Sequence, residues 1–262
     1  MRWLITAGNT QTPIDQVRCI TNIFTGKTGA TIAWAAWDAG MQVTLATSHP
    51  EALQAVRAES TPTDRFRVLP YRTFDDLANI LEVETTQGEY DTIVHCAAVS
   101  DYRVAGIFSP ETGTSFDSTA ATWHTTDRGP AKLVDRQAGK VKSDEPELWM
   151  RLVRTPKLID RIRNPWGFRG VLVKFKLEVG PTEAELRQIA VKSRQQSDAD
   201  LIVANTLEGA SDWAIIGPVL ESVDATDAAA DADAYPRIER NALASRLYQE
   251  VARLHATRYR RG

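Results

Sequence analysis

The sequence predicts an α/β fold, an open parallel sheet with helices on both faces. Three observations predict it. Short apolar strand patterns alternate with helix-spaced patterns from the N-terminus onward. The apolar run at residues 92–96 passes into Ala97 and Ala98 and then into the polar cluster Ser100, Asp101, Tyr102 and Arg103. Open parallel sheets present a ligand site in this way, at the carboxyl end of a strand. Finally, glycine turns at Gly8 and at Gly26-Lys27-Thr28-Gly29 precede a helical pattern. Free backbone N–H groups and the positive end of a helix suit such a place to phosphate. Two familiar phosphate motifs do not match as contiguous text. A Walker A loop needs glycine where Thr21 stands, and G-x-G-x-x-G fails because Gly8 is followed by Asn9 and Thr10.

The elements follow in order. Residues 3–6 form the first strand. Residues 28–39 form a helix whose alanines allow close packing on a sheet, with Gly40 as its stop. Residues 42–46 are the second strand. Ser48 as N-cap, Pro50 in the first turn and Glu51 as capping-box acid predict a helix to about residue 57. Residues 66–69 are the third strand. Thr73 caps a helix with Phe74, Leu77, Ile80 and Leu81 on its core face. Residues 91–96 are the fourth strand. The rhythm then breaks. Residues 104–138 are rich in Ser, Thr, Gly, Asp and Pro. So long a structureless loop is uncommon in a compact domain. The expectation is therefore an inserted β-arm or flap that covers a site or joins two subunits.

Order returns at residues 139–142 and 148–152. Thr155 and Pro156 open a helix with Leu158, Ile159 and Ile162 inward. Residues 171–177 read as a strand. Thr182 and Glu185 form a capping box for a helix that turns Leu186, Ile189 and Ala190 to the core. Residues 201–204 are a strand, residues 222–234 an acidic loop, and residues 241–258 a closing helix with Leu243, Leu247, Val251 and Leu254 on one face. The organisation expected is a single domain over residues 1–262, carrying the 104–138 insertion.

A chain of 262 residues can bury one substantial core. Its net charge of −3 and pI near 5.9 argue against a general nucleic-acid binder. Arg258, Arg260 and Arg261 read as a solvated helix end. The two cysteines, Cys19 and Cys96, are far apart and match no zinc or disulfide spacing, so no protein metal ligands are assigned. The N-terminal apolar run is too short for a signal peptide, and no segment is long enough to span a membrane. A cytoplasmic protein is expected.

A set of motifs occurs in order along nearly the whole chain: Ile5-Thr6-Ala7-Gly8, Pro13-Ile14-Asp15 with Val17-Arg18, Ile20-Thr21-Asn22, and Gly26-Lys27 with Gly29. Ala97-Ala98-Val99 with Asp101-Tyr102, Lys140-Val141-Lys142, Leu152-Val153 with Thr155-Pro156, and Leu201-Ile202-Val203-Ala204-Asn205 follow. Outside residues 104–138 and 206–236 the chain resembles phosphopantothenate–cysteine ligase, the phosphopantothenoylcysteine synthetase of coenzyme A biosynthesis. In many bacteria that enzyme is fused behind a flavin-dependent decarboxylase.

The resemblance implies a Rossmann-like sheet, a CTP- or ATP-dependent reaction with Mg²⁺, 4′-phosphopantothenate and cysteine as substrates, a homodimer, and a possible separate decarboxylase partner. Nucleic acid and membrane are not expected as partners. It also implies site residues. Asn22 matches the asparagine that contacts the acyl intermediate, and Lys140 the lysine of a mobile loop over the phosphates, with Lys142 beside it. Gly8, Asn9 and Thr10 match the first phosphate loop. The family usually has Gly at the position of Asn9, and asparagine tolerates left-handed backbone angles better than most residues. Ala97, Ala98 and Asp101 match the nucleotide- and intermediate-binding strand end, Phe175 a phenylalanine near the base, and Lys192 a lysine reaching the triphosphate. The next family lysine is Gln196 here. The text Lys174-Phe175-Lys176-Leu177-Glu178 departs from the common bacterial form toward that of eukaryotic and stand-alone members.

Two other readings remain at this stage. A short-chain-type NAD(P)-dependent reductase also has alanines at a strand end. Against it, Tyr102 and Tyr248 are followed four residues on by Gly106 and Ala252, not lysine. A non-catalytic nucleotide-binding paralogue is the third.

Overall fold

The protein is seen here as a computed structural model, which describes residues 1–58, 64–126, 129–219 and 232–259. In chain order the elements are β1 (Arg2–Ala7), β2 (Gln11–Pro13), β3 (Cys19–Thr21), α1 (Lys27–Asp38), β4 (Gln42–Thr47), α2 (Ala52–Val56), β5 (Phe66–Pro70) and α3 (Phe74–Gln87). Next come β6 (Thr92–His95), β7 (Tyr102–Pro110), β8 (Thr114–Asp117), β9 (Thr122–Thr125), β10 (Leu133–Asp135), β11 (Trp149–Arg154) and α4 (Leu158–Arg163). The chain ends with β12 (Val171–Glu178), α5 (Glu183–Gln196), β13 (Leu201–Thr206), β14 (Trp213–Gly217), β15 (Arg237–Glu239) and α6 (Leu243–Tyr259). They fall into two compact units. One comprises Met1–Thr10, Ile23–Ala98 and Lys157–Gly262, the other Gln11–Asn22 and Val99–Pro156.

The first unit is built on an eight-stranded sheet in the order β15-β14-β13-β12-β6-β1-β4-β5. Strands β5, β4, β1, β6, β12 and β13 are mutually parallel. Taken in chain order, they lie 3-2-1-4-5-6, so the winding reverses between β1 and β6. Parallel strands covered on both faces read as continuous apolar runs, and every residue of β6 and of β13 is indeed buried. Alternate side chains of β13 serve the two faces. Leu201 and Val203 pack in the same cluster as Ala30, Ala33 and Ala36 of α1 and Leu247 and Val251 of α6. Ile202 and Ala204 pack with Leu186 and Ala190 of α5.

The expected parallel sheet is present and carries one addition. β14 and β15 add an antiparallel edge beyond β13. The connection from β13 to β14 is only residues 207–212, too short for a parallel crossover. A correction concerns α2. Its N-cap is Glu51, with no side-chain cap. Ser48 instead turns its hydroxyl to Asn9, and Glu51 meets His49 Nδ1 at 2.7 Å. By contrast, the capping boxes at Thr73 and Thr182 are both formed. Most of the expected acidic loop at 222–234 and the arginines at 260 and 261 lie outside the described residues.

The second unit is antiparallel. It holds the β2–β3 hairpin, the three-stranded sheet β10-β7-β11 and the β8–β9 hairpin. Phe116, Trp123 and Trp149 form an aromatic cluster with ring centroids 4.6 to 5.2 Å apart. The described part of the stretch 104–138 is thus β-structured, but it belongs to a unit larger than itself, which also takes in Gln11–Asn22 and β11.

Among the polar groups buried inside the parallel sheet is one whose charge state folding changes, His95. His95 is 7% exposed, and its Nδ1 lies 3.0 Å from Thr6 Oγ1. It pairs in register with Lys174, whose ammonium donates to the Ser193 carbonyl at 2.8 Å and to Ser197 Oγ at 3.0 Å. Burial first, and then the Lys174 charge, hold the His95 imidazolium down to a pKa of about 4. In the unfolded chain the same group titrates near 6.5. Between these values the unfolded state binds a proton that the folded state refuses, so stability falls as pH drops below 6.5 and is unaffected by this group well above it. We expect His95 alone to cost about 2 kcal/mol between pH 7 and pH 5. Urea unfolding at the two pH values should show this loss, and His95→Gln should flatten it. An unchanged slope in the variant would contradict the assignment.

Candidate functional site

The site begins where β1 ends. Gly8 has φ +87° and Gly26, which caps α1, has φ +81°. A Cβ on Gly26 would lie 2.7 Å from the Gly8 amide nitrogen, and one on Gly29 would lie 2.5 Å from Ala7 Cβ. The backbone at the start of α1 therefore presses directly on the end of β1. These are the tasks that the glycines of a dinucleotide fingerprint perform: a tight turn, an open approach to phosphate, and close helix–strand packing. The contiguous motif is absent from the sequence, but its geometry is present as Gly8 and Gly26-x-x-Gly29, separated by the segment Gln11–Asn22 of the other unit. No side chain caps α1 and no acid lies in its first turn, so nothing there opposes an anion.

The residues after Gly8 lock this turn to the end of β6. The Ala98 N–H donates to the Gly8 carbonyl at 2.8 Å, and Asn9 forms a parallel bridge with Ala98. Asn9 is buried, at 5% exposure. It does not use left-handed angles. Its N–H donates to Ser48 Oγ at 2.9 Å, and the Ser48 hydroxyl donates back to Asn9 Oδ1 at 3.2 Å. Thr10 is fully buried, and its N–H donates to the Ala98 carbonyl at 3.3 Å. Asn9 and Thr10 thus shape the loop from beneath and are not among the residues lining the cavity above it.

That cavity has a volume of about 450 Å³. It lies at the carboxyl ends of β1, β6, β12 and β13, at the point where the winding reverses, which is where open α/β sheets bind ligands. Of the expected residues, Gly8, Ala97, Ala98 and Phe175 line it. The two alanines carry minimal side chains on a half-buried strand end, with the Ala97 N–H held by Thr6 Oγ1 at 3.2 Å. Ile23, Phe24, Phe175 and Leu177 make an apolar wall; Lys27, Lys176, Asn205 and Arg240 supply polar and cationic groups. Lys176 is paired with Glu178 at 2.9 Å. Cys96 also lines the cavity, but burial pushes its thiol up to about 12, so it is neutral and a poor nucleophile near pH 7. Lys192 is exposed on α5, and neither it nor Gln196 is among the lining residues.

The remaining expected residues belong to the second unit. Asn22 is half-buried just after β3, and Asp101 is exposed. The Asp101 carbonyl accepts from the Thr155 N–H at 2.9 Å, and the Ser100 carbonyl accepts from Thr155 Oγ1 at 2.6 Å, so Thr155 anchors this turn. Lys140 and Lys142 are exposed on either side of buried Val141, and together with Val17 and Arg18 they line a cavity of about 450 Å³. An Asp15 clip holds their loop. The Asp15 carboxylate accepts from the N–H groups of Val17 at 2.9 Å and Val141 at 3.1 Å and from Arg18 Nη2 at 2.7 Å. Arg18 in turn donates to the Val141 carbonyl at 2.9 Å. The Arg18 hydrogen bond, followed by the Val17 amide, holds Asp15 well below the usual carboxylate range, so the clip is charged at any ordinary pH.

Two groups of the cavity escaped sequence reasoning. Asn205 closes an apolar strand motif and was legible as a strand end. Arg240 follows the short edge strand β15 and carries no periodic signal. The glycine geometry yields a test. Gly26→Ala meets both a positive φ and the Gly8 backbone, whereas Gly40→Ala meets a positive φ of +86° with nothing within 4 Å. We expect Gly40→Ala to cost about 1 kcal/mol and Gly26→Ala roughly 3 kcal/mol, strain and overpacking combined. Urea unfolding of both variants checks the order, and equal costs would contradict the close approach.

The comparisons with known proteins agree with this geometry. The family model for the DNA/pantothenate metabolism flavoprotein C-terminal domain matches residues 1–111 and 131–254. The unmatched stretch between them holds the β8–β9 hairpin. The coenzyme A biosynthesis bifunctional protein CoaBC of Thermococcus kodakarensis is 32% identical over 258 residues, which is 97% of this chain and 51% of that protein. The chain thus spans about half the length of the curated relative it matches. The crystal structure of the DNA/pantothenate metabolism flavoprotein from Streptococcus pneumoniae superposes with a TM-score of 0.73 at 26% identity, covering 97% of this chain and 100% of that one. A Cab2 mutant in complex with phosphopantothenate-cysteine shares the fold, with a TM-score of 0.53 at 18% identity over 82% of this chain and 75% of that one. With a match over most of its length and the glycine, alanine and phenylalanine positions gathered at one strand-end cavity, this chain belongs to the DNA/pantothenate metabolism flavoprotein C-terminal domain family.

Proposed function

We propose that the chain is a phosphopantothenate–cysteine ligase. Its carboxylate substrate, 4′-phosphopantothenate, attacks the α-phosphorus of a nucleoside triphosphate and expels pyrophosphate. The cysteine amine then attacks the acyl carbon of the acyl-nucleotide, loses a proton, and releases the nucleoside monophosphate as the amide forms. The observation that carries this reading is the strand-end cavity. It offers glycine backbone at an uncapped helix start, two small residues at the neighbouring strand end, and Phe175 in the same lining as Lys27 and Arg240, which have no acidic partner among the described residues. Such a place suits a triphosphate and a base, and positioning plus charge neutralisation is most of what this chemistry asks of a protein.

Asn22 is proposed to donate its amide N–H to the acyl oxygen as it gains charge, and Lys140 to neutralise phosphate, with Lys142 in support. Asp101 and Lys192 are proposed as further nucleotide contacts. CTP is the proposed nucleotide, with ATP as the competitor. Among the described residues no group of three or more His, Cys, Asp and Glu is placed to hold a metal ion. Mg²⁺ is proposed to enter with the triphosphate, which it binds through few protein ligands. We propose that the chain acts as a homodimer in the cytoplasm and works alongside a flavin-dependent decarboxylase. No helix among the described residues is long and apolar enough to cross a membrane.

The reductase alternative loses ground at the end of β4. Dinucleotide sites of this topology place an acid there for the ribose. Here Ser48 and His49 follow Thr47, and Glu51 is engaged by His49.

Pyrophosphate release with 4′-phosphopantothenate, cysteine and Mg²⁺, run with CTP and ATP in parallel and with product mass measured, tests the proposal. The expected result is pyrophosphate together with the cysteine adduct, faster with CTP. In Asn22→Asp, pyrophosphate release should persist while adduct formation falls about a hundredfold or more. Folded protein that is silent with both nucleotides would remove the ligase reading.

A further inference from the structure

Arg240 sits in the 3₁₀ turn Arg240–Ala242, which joins the edge strand β15 to α6. Its backbone N–H donates to the Asp212 carbonyl at 2.8 Å, which ties it to the turn after β13. Its half-buried side chain lines the strand-end cavity, and its guanidinium donates to Thr28 Oγ1 in the first turn of α1. Among the described residues no carboxylate forms an ion pair with it. The Cys96 thiol, which lines the same cavity, stays neutral near pH 7 and cannot balance the charge.

A half-buried cation with no counter-charge among the described residues is costly unless something anionic completes it. Here it lies beside an uncapped helix start, which favours the same sign of ligand. We propose that Arg240 is a phosphate-binding residue of this cavity, its planar fork gripping the pyrophosphate portion of the nucleotide while Thr28 holds it in place. The guanidinium fork suits paired phosphate oxygens better than an ammonium does. The inference takes from the ligase reading only that a phosphate-bearing ligand enters this cavity.

Its test measures binding, not turnover. Inorganic pyrophosphate and CTP are titrated calorimetrically into the full chain and into Arg240→Gln and Arg240→Lys. We expect Arg240→Gln to weaken both ligands at least tenfold, Arg240→Lys to recover part of the loss, and the ligand-free unfolding midpoints to stay close to the parent. Binding of both ligands by Arg240→Gln at parental strength overturns the proposal. If Arg240→Gln does not fold, the parent protein decides. Arginine-selective dicarbonyl labelling read by mass spectrometry should modify Arg240 and be blocked by pyrophosphate, and labelling that pyrophosphate leaves unaltered overturns the proposal. Arg240-dependent pyrophosphate binding without any cysteine adduct in the ligation assay would support this inference while removing the ligase reading.

Discussion

The approach of α1 to the end of β1 is the constraint on which the rest of the site depends. A helix can offer its first amides to a ligand at a strand end only if no side chain stands between the two backbones. Gly26 and Gly29 remove those side chains, and Gly8 turns the strand away at the same place. The neighbouring strand then has to end in small residues, and Ala97 and Ala98 meet that requirement while their backbone closes onto Thr6 and Gly8. Ser48 supports the turn from the end of β4. Because interiors are close-packed, each of these positions leaves little freedom to the next.

Electrostatics follow from the same arrangement. The parallel sheet buries its ionisable groups in neutral or hydrogen-bonded form, as with His95 and Lys174. The cavity at the strand ends does the opposite: Lys27 and Arg240 line it without acidic partners among the described residues, facing an apolar wall that includes Phe24 and Phe175. A low-polarity wall beside uncompensated cations strengthens attraction for an anion with a planar, stackable portion. In the second unit, Asp15 and Arg18 tie the lysine loop to the β2–β3 hairpin, so the text Pro13-Ile14-Asp15 and the text Lys140-Val141-Lys142 are parts of one structure although they are far apart in sequence.

Much of this was legible in the sequence, for identifiable reasons. The inner strands β6 and β13 are buried throughout and announce themselves as apolar runs, and the cap at Thr73 and the capping box at Thr182 mark their helices because a side-chain oxygen there meets a free backbone N–H of the first turn. What stayed hidden has equally physical causes. Ser48 has the composition of an N-cap, but Asn9, far away in sequence, claims its hydroxyl. The edge strands β14 and β15 are short, and β15 has mixed exposure, so no period emerges. The glycine fingerprint escaped because the residues that perform it are interrupted by a segment of another unit. Arg240 escaped because a lone arginine after an edge strand carries no pattern; only the folded chain brings it to Thr28.

The central claim is that the split glycine turn is a phosphate site. A crystal structure of the full chain with a non-hydrolysable CTP analogue tests it most directly. The account predicts phosphate oxygens within about 3 Å of the backbone nitrogens at the start of α1, with the base toward Phe175. Phosphates bound elsewhere, or a base seated against Gly8 and Gly26, would contradict it.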